Sequence, residues 1–252
     1  MEKRFNGELK WIKPSLLVNE NNLDKTESFF LVLGVIFNDL QGLILFEEML
    51  VDNYEKPENK PTSHDGHYAG VLVQIQKLIA STINEFFVFL KINKNVLTTD
   101  QFKEIFNQLN KTDRQSWNAI IAAANNNLSS VTELLKSMVY IRSNFAFHYD
   151  HSGKILRRGY ISRFFGNHND EKADLAYYSI DNNIKNTRFY FADAAVEESL
   201  FIAVGKKTKE SSAGNEALKR YQSQIRETIN VISTVIQSLL KKYIQLKRGH
   251  PN

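Results

Sequence analysis

The sequence predicts an all-α protein, an up-and-down helical bundle with a small β-hairpin insertion, and three observations predict it. Apolar residues recur every three or four positions over several long segments, as in helices that bury one face. Such segments cannot bury a face alone, so they pack on one another. One stretch late in the chain breaks this rhythm with alternating aromatic runs around a polar turn.

The first helix is expected over about 25–53, on the stripe Phe29, Leu33, Ile36, Leu40, Leu43 and Leu50. It contains the most apolar run of the chain, Phe29 to Phe46, but Asn38, Asp39 and Gln41 would sit near a bilayer centre at a cost of several kcal/mol. It therefore reads as a buried helix of a soluble protein, with no membrane partner. The segment EKPENKPTSHDGH carries two prolines and no large apolar residue, which predicts a surface loop through His67. A second helix is expected over about 68–94, on Leu72, Ile75, Ile79, Ile83, Phe86 and Leu90. Two shorter helices follow within LTTDQFKEIFNQLN and KTDRQSWNAIIAAANNN. Each begins with a threonine suited to capping, and in the second Thr112 precedes Gln115 by three residues.

Residues 129–150, SSVTELLKSMVYIRSNFAFHYD, are expected to form another helix, capped by Ser129 or Ser130, with Leu134, Met138, Ile141 and Phe145 on its core stripe. Beyond it, residues 152–192 read as a basic loop followed by the β-hairpin, and together these form the insertion. A short helix near 192–204 and a last helix over about 216–246 complete the chain. The last stripe is Leu218, Tyr221, Ile225, Ile229, Ile232, Ile236, Leu239 and Tyr243. The whole, 1–252, is expected to be a single helical domain.

Lys and Arg total 32 against 28 Asp and Glu, a net charge of +4, which permits contact with polyanions without constituting a basic arm. Cysteine is absent, which excludes disulfides, thiolate zinc sites and a cysteine nucleophile and suits a cytoplasmic location. No phosphate-cradling glycine loop, serine hydrolase signature or Glu-x-x-His pair occurs, and no cofactor or metal is expected. His64, Asp65 and His67 stand close together and could hold a metal weakly; a solvated loop is the plainer reading of the three.

The chemistry-bearing residues gather near position 145. Arg142 and Tyr149 fall on one flank of the expected helix, and Asn144, His148 and His151 on the other. Two readings stay open: an arginine paired with a carboxylate beside a histidine favoured by the helix dipole, or a reactive pair beside a partly dry groove. Arg142-Ser143-Asn144-Phe145-Ala146-Phe147-His148 resembles the signature of the HEPN superfamily, an arginine with a polar neighbour and a histidine after four to six intervening positions. It departs from the commonest pattern in placing Ser143 first and Asn144 second.

The resemblance covers the helical core and implies metal-independent cleavage of RNA, at a composite site formed where two copies of the motif meet in a homodimer. His148 would move protons during attack of the ribose 2′-OH, and Arg142 would bind the developing phosphorane. Asn144 would orient the imidazole or bind the sugar, and Tyr149 would donate to phosphate or stack on a base. Immediately afterwards Lys154, Arg157, Arg158 and Arg163 interleave with Tyr160, Phe164 and Phe165, a composition that holds phosphates and stacks bases. The expected setting is a toxin, phage defence or RNA processing, with an antitoxin or regulatory protein as a further partner. The rival readings are a non-catalytic RNA- or protein-binding bundle and a purely structural module.

Overall fold

Each of the first four long elements starts at a side chain that captures a free backbone N–H. The computed structural model describes residues 12–19, 21, 24–55, 62–125, 154–165, 175–180, 187–203 and 211–249. After a single turn, α1 (Pro14–Leu17), Asp24 accepts from the Thr26 N–H at 2.7 Å and opens α2 (Lys25–Asp52). Thr62 opens α3 (Ser63–Ile92) with a reciprocal cap: its hydroxyl accepts from the Asp65 N–H at 3.2 Å, and Asp65 accepts from the Thr62 N–H at 2.8 Å. A 3-10 turn (Val96–Thr98) leads to Thr99, which caps α4 (Asp100–Asn107), and Asn110 caps α5 (Lys111–Ala124). The chain continues with α6 (Lys154–Phe164), α7 (Tyr190–Ala203) and α8 (Ser211–Gly249).

The expected helical stripes become the core. Phe29, Leu33, Ile36 and Leu40 of α2 meet Ile75, Ile79, Ile83, Phe86 and Leu90 of α3 and Ile225, Ile229, Ile232, Ile236 and Leu239 of α8. Helices α2 and α5 each touch both α3 and α8, so these four surround one interior. Residue pairing shows α2 antiparallel to both neighbours. Phe29 stacks on Phe89 at 5.0 Å while Tyr54 stacks on Tyr68 at 3.7 Å, and Glu27 pairs with Lys247 at 2.6 Å while Glu47 pairs with Arg226 at 3.4 Å. One end is packed with aromatics, where Phe102 of α4 lies 5.8 Å from both Phe29 and Trp117. There Phe30 stacks face to face on Tyr243 at 4.2 Å, and the Tyr243 hydroxyl donates to the Leu17 carbonyl at 2.5 Å, fastening α1.

The structure corrects the sequence reading at several places. Helix α3 begins five residues early, because Thr62 and Asp65 cap it despite the nearby prolines, so His64, Asp65 and His67 lie on its first turn. The cap of α5 is Asn110, with Thr112 inside the helix. Residues expected as a basic loop form α6, and Gly159 is its point of contact with α7. A β-carbon there would stand 2.1 Å from Ser199 Oγ and 2.4 Å from the Ala195 carbonyl of α7. The β-hairpin is not supported: among the described residues no strand forms, and one antiparallel bridge joins Ser179 to Arg188 through two 2.8 Å bonds. Its second aromatic run enters α7 at Tyr190, where Arg188 reaches Asp193 in the first turn at 2.7 Å. Helix α2 is buried on its inner face only; 28% of its most apolar window is covered. By length and composition α2 and α3 could each cross a membrane, and α3 is the better covered of the two.

Two outcomes follow. Gly159→Leu forces α6 off α7 and should cost about 1–3 kcal/mol, read as a lower urea midpoint. The Asp65 carboxyl is held below its usual range, first by the Tyr54 hydroxyl and then by the Thr62 N–H, and the Tyr54 hydroxyl is pushed up to about 12 by the same bond. A carboxyl whose folded pKa is depressed stabilises above its unfolded value of about 3.9, and that gain disappears as pH falls through the folded value. Thermal scans should therefore show Asp65→Asn melting below the parent at pH 7, with the gap closing as pH falls below the ordinary carboxylate value of about 3.9.

Candidate nucleic-acid interface

Helix α6 carries no acidic residue, and its cations divide between two faces. At about 100° per residue, Lys154, Arg157, Arg158 and Ile161 fall within one third of the circumference. Together they line an open cavity of about 250 Å³. All four are exposed, and Phe165, 75% exposed, continues the same stripe just past the helix. Lys154, Arg157 and Arg158 also occupy the first turns, where the helix dipole already presents positive charge. That arrangement is self-repulsive, and an anion bound there relieves it.

The fourth expected RNA contact, Arg163, is turned away from this face. It lies partly buried with its guanidinium 5.9 Å from the Phe164 ring, and its charge acts on Glu197 of α7. Burial pushes the Glu197 carboxyl up, and Arg163 offsets this only in part. Of the three aromatics expected to stack bases, Phe164 is buried, and Tyr160 packs on Phe164 at 4.7 Å and on Phe191 at 6.4 Å. Phe165 alone of these remains open.

Packing against α7 fixes the orientation of the basic face. Gly159 meets Ala195 and Ser199, Ser199 Oγ lies 3.2 Å from the Ile155 carbonyl, and Ser162 donates to Glu198 at 2.6 Å. Helix α7 is in turn seated on α3 through two glycines one turn apart. The Arg188 guanidinium fills the space a β-carbon at Gly70 would need, and the Tyr190 ring does the same at Gly66. His67 meets Tyr190 edge-on at 5.6 Å and His64 stacks on Tyr54 at 5.5 Å, so both histidines serve aromatic packing. Among the described residues no three carboxylates or histidines converge as a metal site.

Arg142, Asn144, His148 and Tyr149 lie outside the described residues. What the sequence reading missed is a polar seam on α3. Lys77, Ser81 and Asn84 share a face about 180° from Ile79 and Phe86, yet all three are buried. Burial lowers the Lys77 pKa, with Asp193 of α7 opposing the shift, and Ser81 Oγ has no hydrogen-bond partner among the described residues. The signal was present in the sequence as a second face of α3 bearing mostly small and polar residues, which reads as solvent-facing until α7 is placed over it. Exposed Tyr178 and Phe189 flank the Ser179–Arg188 bridge and were also not singled out.

A lysine whose folded pKa is lowered destabilises at neutral pH, and that penalty disappears as pH rises past its unfolded value of about 10.4. Lys77→Met should therefore raise the melting temperature at pH 7, with a smaller gain at pH 10 in the same thermal scan. No family model, curated protein or solved structure matches this chain.

Proposed function

We propose that the chain binds single-stranded RNA on the basic face of α6 and cleaves it, without a metal ion, as a HEPN-type endoribonuclease. The observation that carries the RNA half is the crowding of Lys154, Arg157 and Arg158 at the positive end of a helix with no carboxylate, beside exposed Phe165. Phosphates neutralise the first group, and a splayed base stacks on the second. The catalytic half rests on the resemblance of Arg142 to His148, which ends six residues before Lys154 in the chain. RNA held on α6 would then be bound close in sequence to the reactive pair.

In this reading His148 takes the proton of the ribose 2′-OH as it attacks the adjacent phosphorus, and Arg142 neutralises the phosphorane oxygens. Proton return to the departing 5′-oxygen completes the step and leaves a cyclic phosphate. Asn144 orients the imidazole and Tyr149 contacts phosphate or base. The composite site brings two copies of the motif together in a homodimer, and the setting is toxin, phage defence or RNA processing, with an antitoxin or regulatory protein restraining the activity.

Purified protein should cut single-stranded RNA in EDTA, and Arg142→Ala or His148→Ala should abolish product while leaving the helical signal intact. The double variant Arg157→Ala, Arg158→Ala should weaken RNA binding and reduce the slope of log affinity against log salt by about 1.4, for two lost phosphate contacts. Salt-dependent binding with no product would instead favour the non-catalytic RNA-binding module. Unchanged cleavage in both motif variants would remove the mechanism.

A further inference from the structure

The bridge that leads into α7 presents two aromatic rings to solvent. Ser179 and Arg188 exchange both backbone bonds at 2.8 Å, so Tyr178 and Phe189 form the next pair along and stand opposite each other. Side chains alternate between the two faces of such a pair. Arg188 is committed to the inner face by its seat at Gly70 and its 2.7 Å bond to Asp193, which turns Tyr178 and Phe189 outward, where they are 64% and 48% exposed. Opposed aromatics usually stabilise a sheet. Among the described residues there is one bridge here and no strand, so that role has nothing to act on.

The pair is joined to the basic face by a line of rings. Phe189 meets Phe191 at 5.9 Å, Phe191 meets Tyr160 at 6.4 Å, and Tyr160 meets Phe165 at 6.4 Å. The two ends of the line, Phe189 and Phe165, are exposed, and its middle members are half-buried. The carboxylates beside it on α7 are engaged: Asp193 pairs with Arg188, Glu198 accepts from Ser162 at 2.6 Å, and the charge of Arg163 acts on Glu197. Helix α6 itself carries no acidic residue. An occupant of this surface must therefore combine negative charge with flat apolar groups, and an unpaired nucleic-acid strand has both. A duplex keeps its base faces stacked inside, and a lipid surface has no planar groups to offer.

We infer that Tyr178 and Phe189 form a second stacking station for unpaired nucleobases, reached by a strand whose phosphates lie on the cations of α6 and which passes Phe165 on the way. The inference deepens the RNA reading and rests on its binding half, independently of cleavage. Every base has a flat face, so the station is tolerant of sequence, and stacking involves no contact to the sugar. A deoxyribonucleotide strand, which lacks the 2′-OH needed for cleavage, occupies it as well and stays intact. The bridge is held before any strand arrives, because Arg188 is paired and the Tyr190 hydroxyl donates to the Ser63 carbonyl at 3.1 Å, so little ordering is needed on binding.

Fluorescence anisotropy of the full chain with a labelled single-stranded DNA of about 12 nucleotides reads binding alone. Tyr178→Ala should weaken it about 5–150-fold, and Phe189→Leu, which keeps apolar bulk but removes the ring, should weaken it too. Both variants should keep the helical signal, the melting temperature and the parent's slope of log affinity against log salt, since no phosphate contact is lost. A strand of abasic spacers keeps every phosphate; it should bind the parent more weakly and bind parent and Tyr178→Ala alike. A duplex of the same length should also fail to distinguish the two. If the parent binds the strand and both variants bind it equally well, the station is overturned and the RNA reading stands. If the parent binds no strand, the RNA reading falls and the station with it. Transfer of the parent onto phosphatidylglycerol vesicles, or self-association, that Tyr178→Ala abolishes while strand affinity is unchanged would assign the rings to another occupant and overturn the station.

Discussion

The bundle depends on two carboxylates, Glu27 and Glu47, buried at opposite ends of α2. Each takes a cation from α8, Lys247 at one end and Arg226 at the other, and between them Phe30 stacks on Tyr243. A buried ion pair adds little net stability compared with an apolar pair, but breaking one leaves a charge stranded at a cost of about 3–5 kcal/mol. Its value here is register. Sliding α8 by one turn along α2 would strand both glutamates at once, and Glu27 is held in place for its cation by the 2.9 Å bond it accepts from the Asn19 N–H of the entering chain. The apolar stripes alone would tolerate such a slip, because isoleucine repeats along α8 with nearly even spacing.

Once α2 and α8 are set, the remaining elements have few choices. Helices α3 and α5 close the interior, and α3 is left with a second face that α7 covers. That second contact is polar and close, with backbone glycines admitting Arg188 and Tyr190, and it carries α6 with it through Gly159. The orientation of the basic face is thus transmitted from the core through two glycine-mediated contacts. Rigid support of this kind is what a binding surface needs if charged side chains are to act together.

Much of the bundle was legible because long helices write their period into the sequence. The boundaries of α2 could be read within a residue from its stripe and from Asn53, which caps its end. Helix α6 was not legible, because its buried side is narrow and centred on a glycine, and its exposed side is basic, so it resembles a loop by composition. The hairpin reading failed for a related reason: the aromatic run Phe189, Tyr190 and Phe191 has the composition of a strand, but its last two residues serve the first turn of α7. On the candidate interface, proximity in sequence grouped four cations, and helical geometry keeps three together and turns Arg163 inward. The polar seam at Lys77 was hidden because burial of a polar face depends on a partner more than a hundred residues away.

The seats at Gly66 and Gly70 have a consequence for the segment that precedes them in space and follows them in sequence. By pinning Arg188 and Tyr190 to the start of α3, they close the chain from the end of α5 to the bridge into a tethered circuit of about sixty residues. The entropy of closing such a circuit rises only logarithmically, about 0.6 kcal/mol for each doubling of length. The cost of seating these two side chains on α3 therefore depends only weakly on how many residues of chain separate them from it.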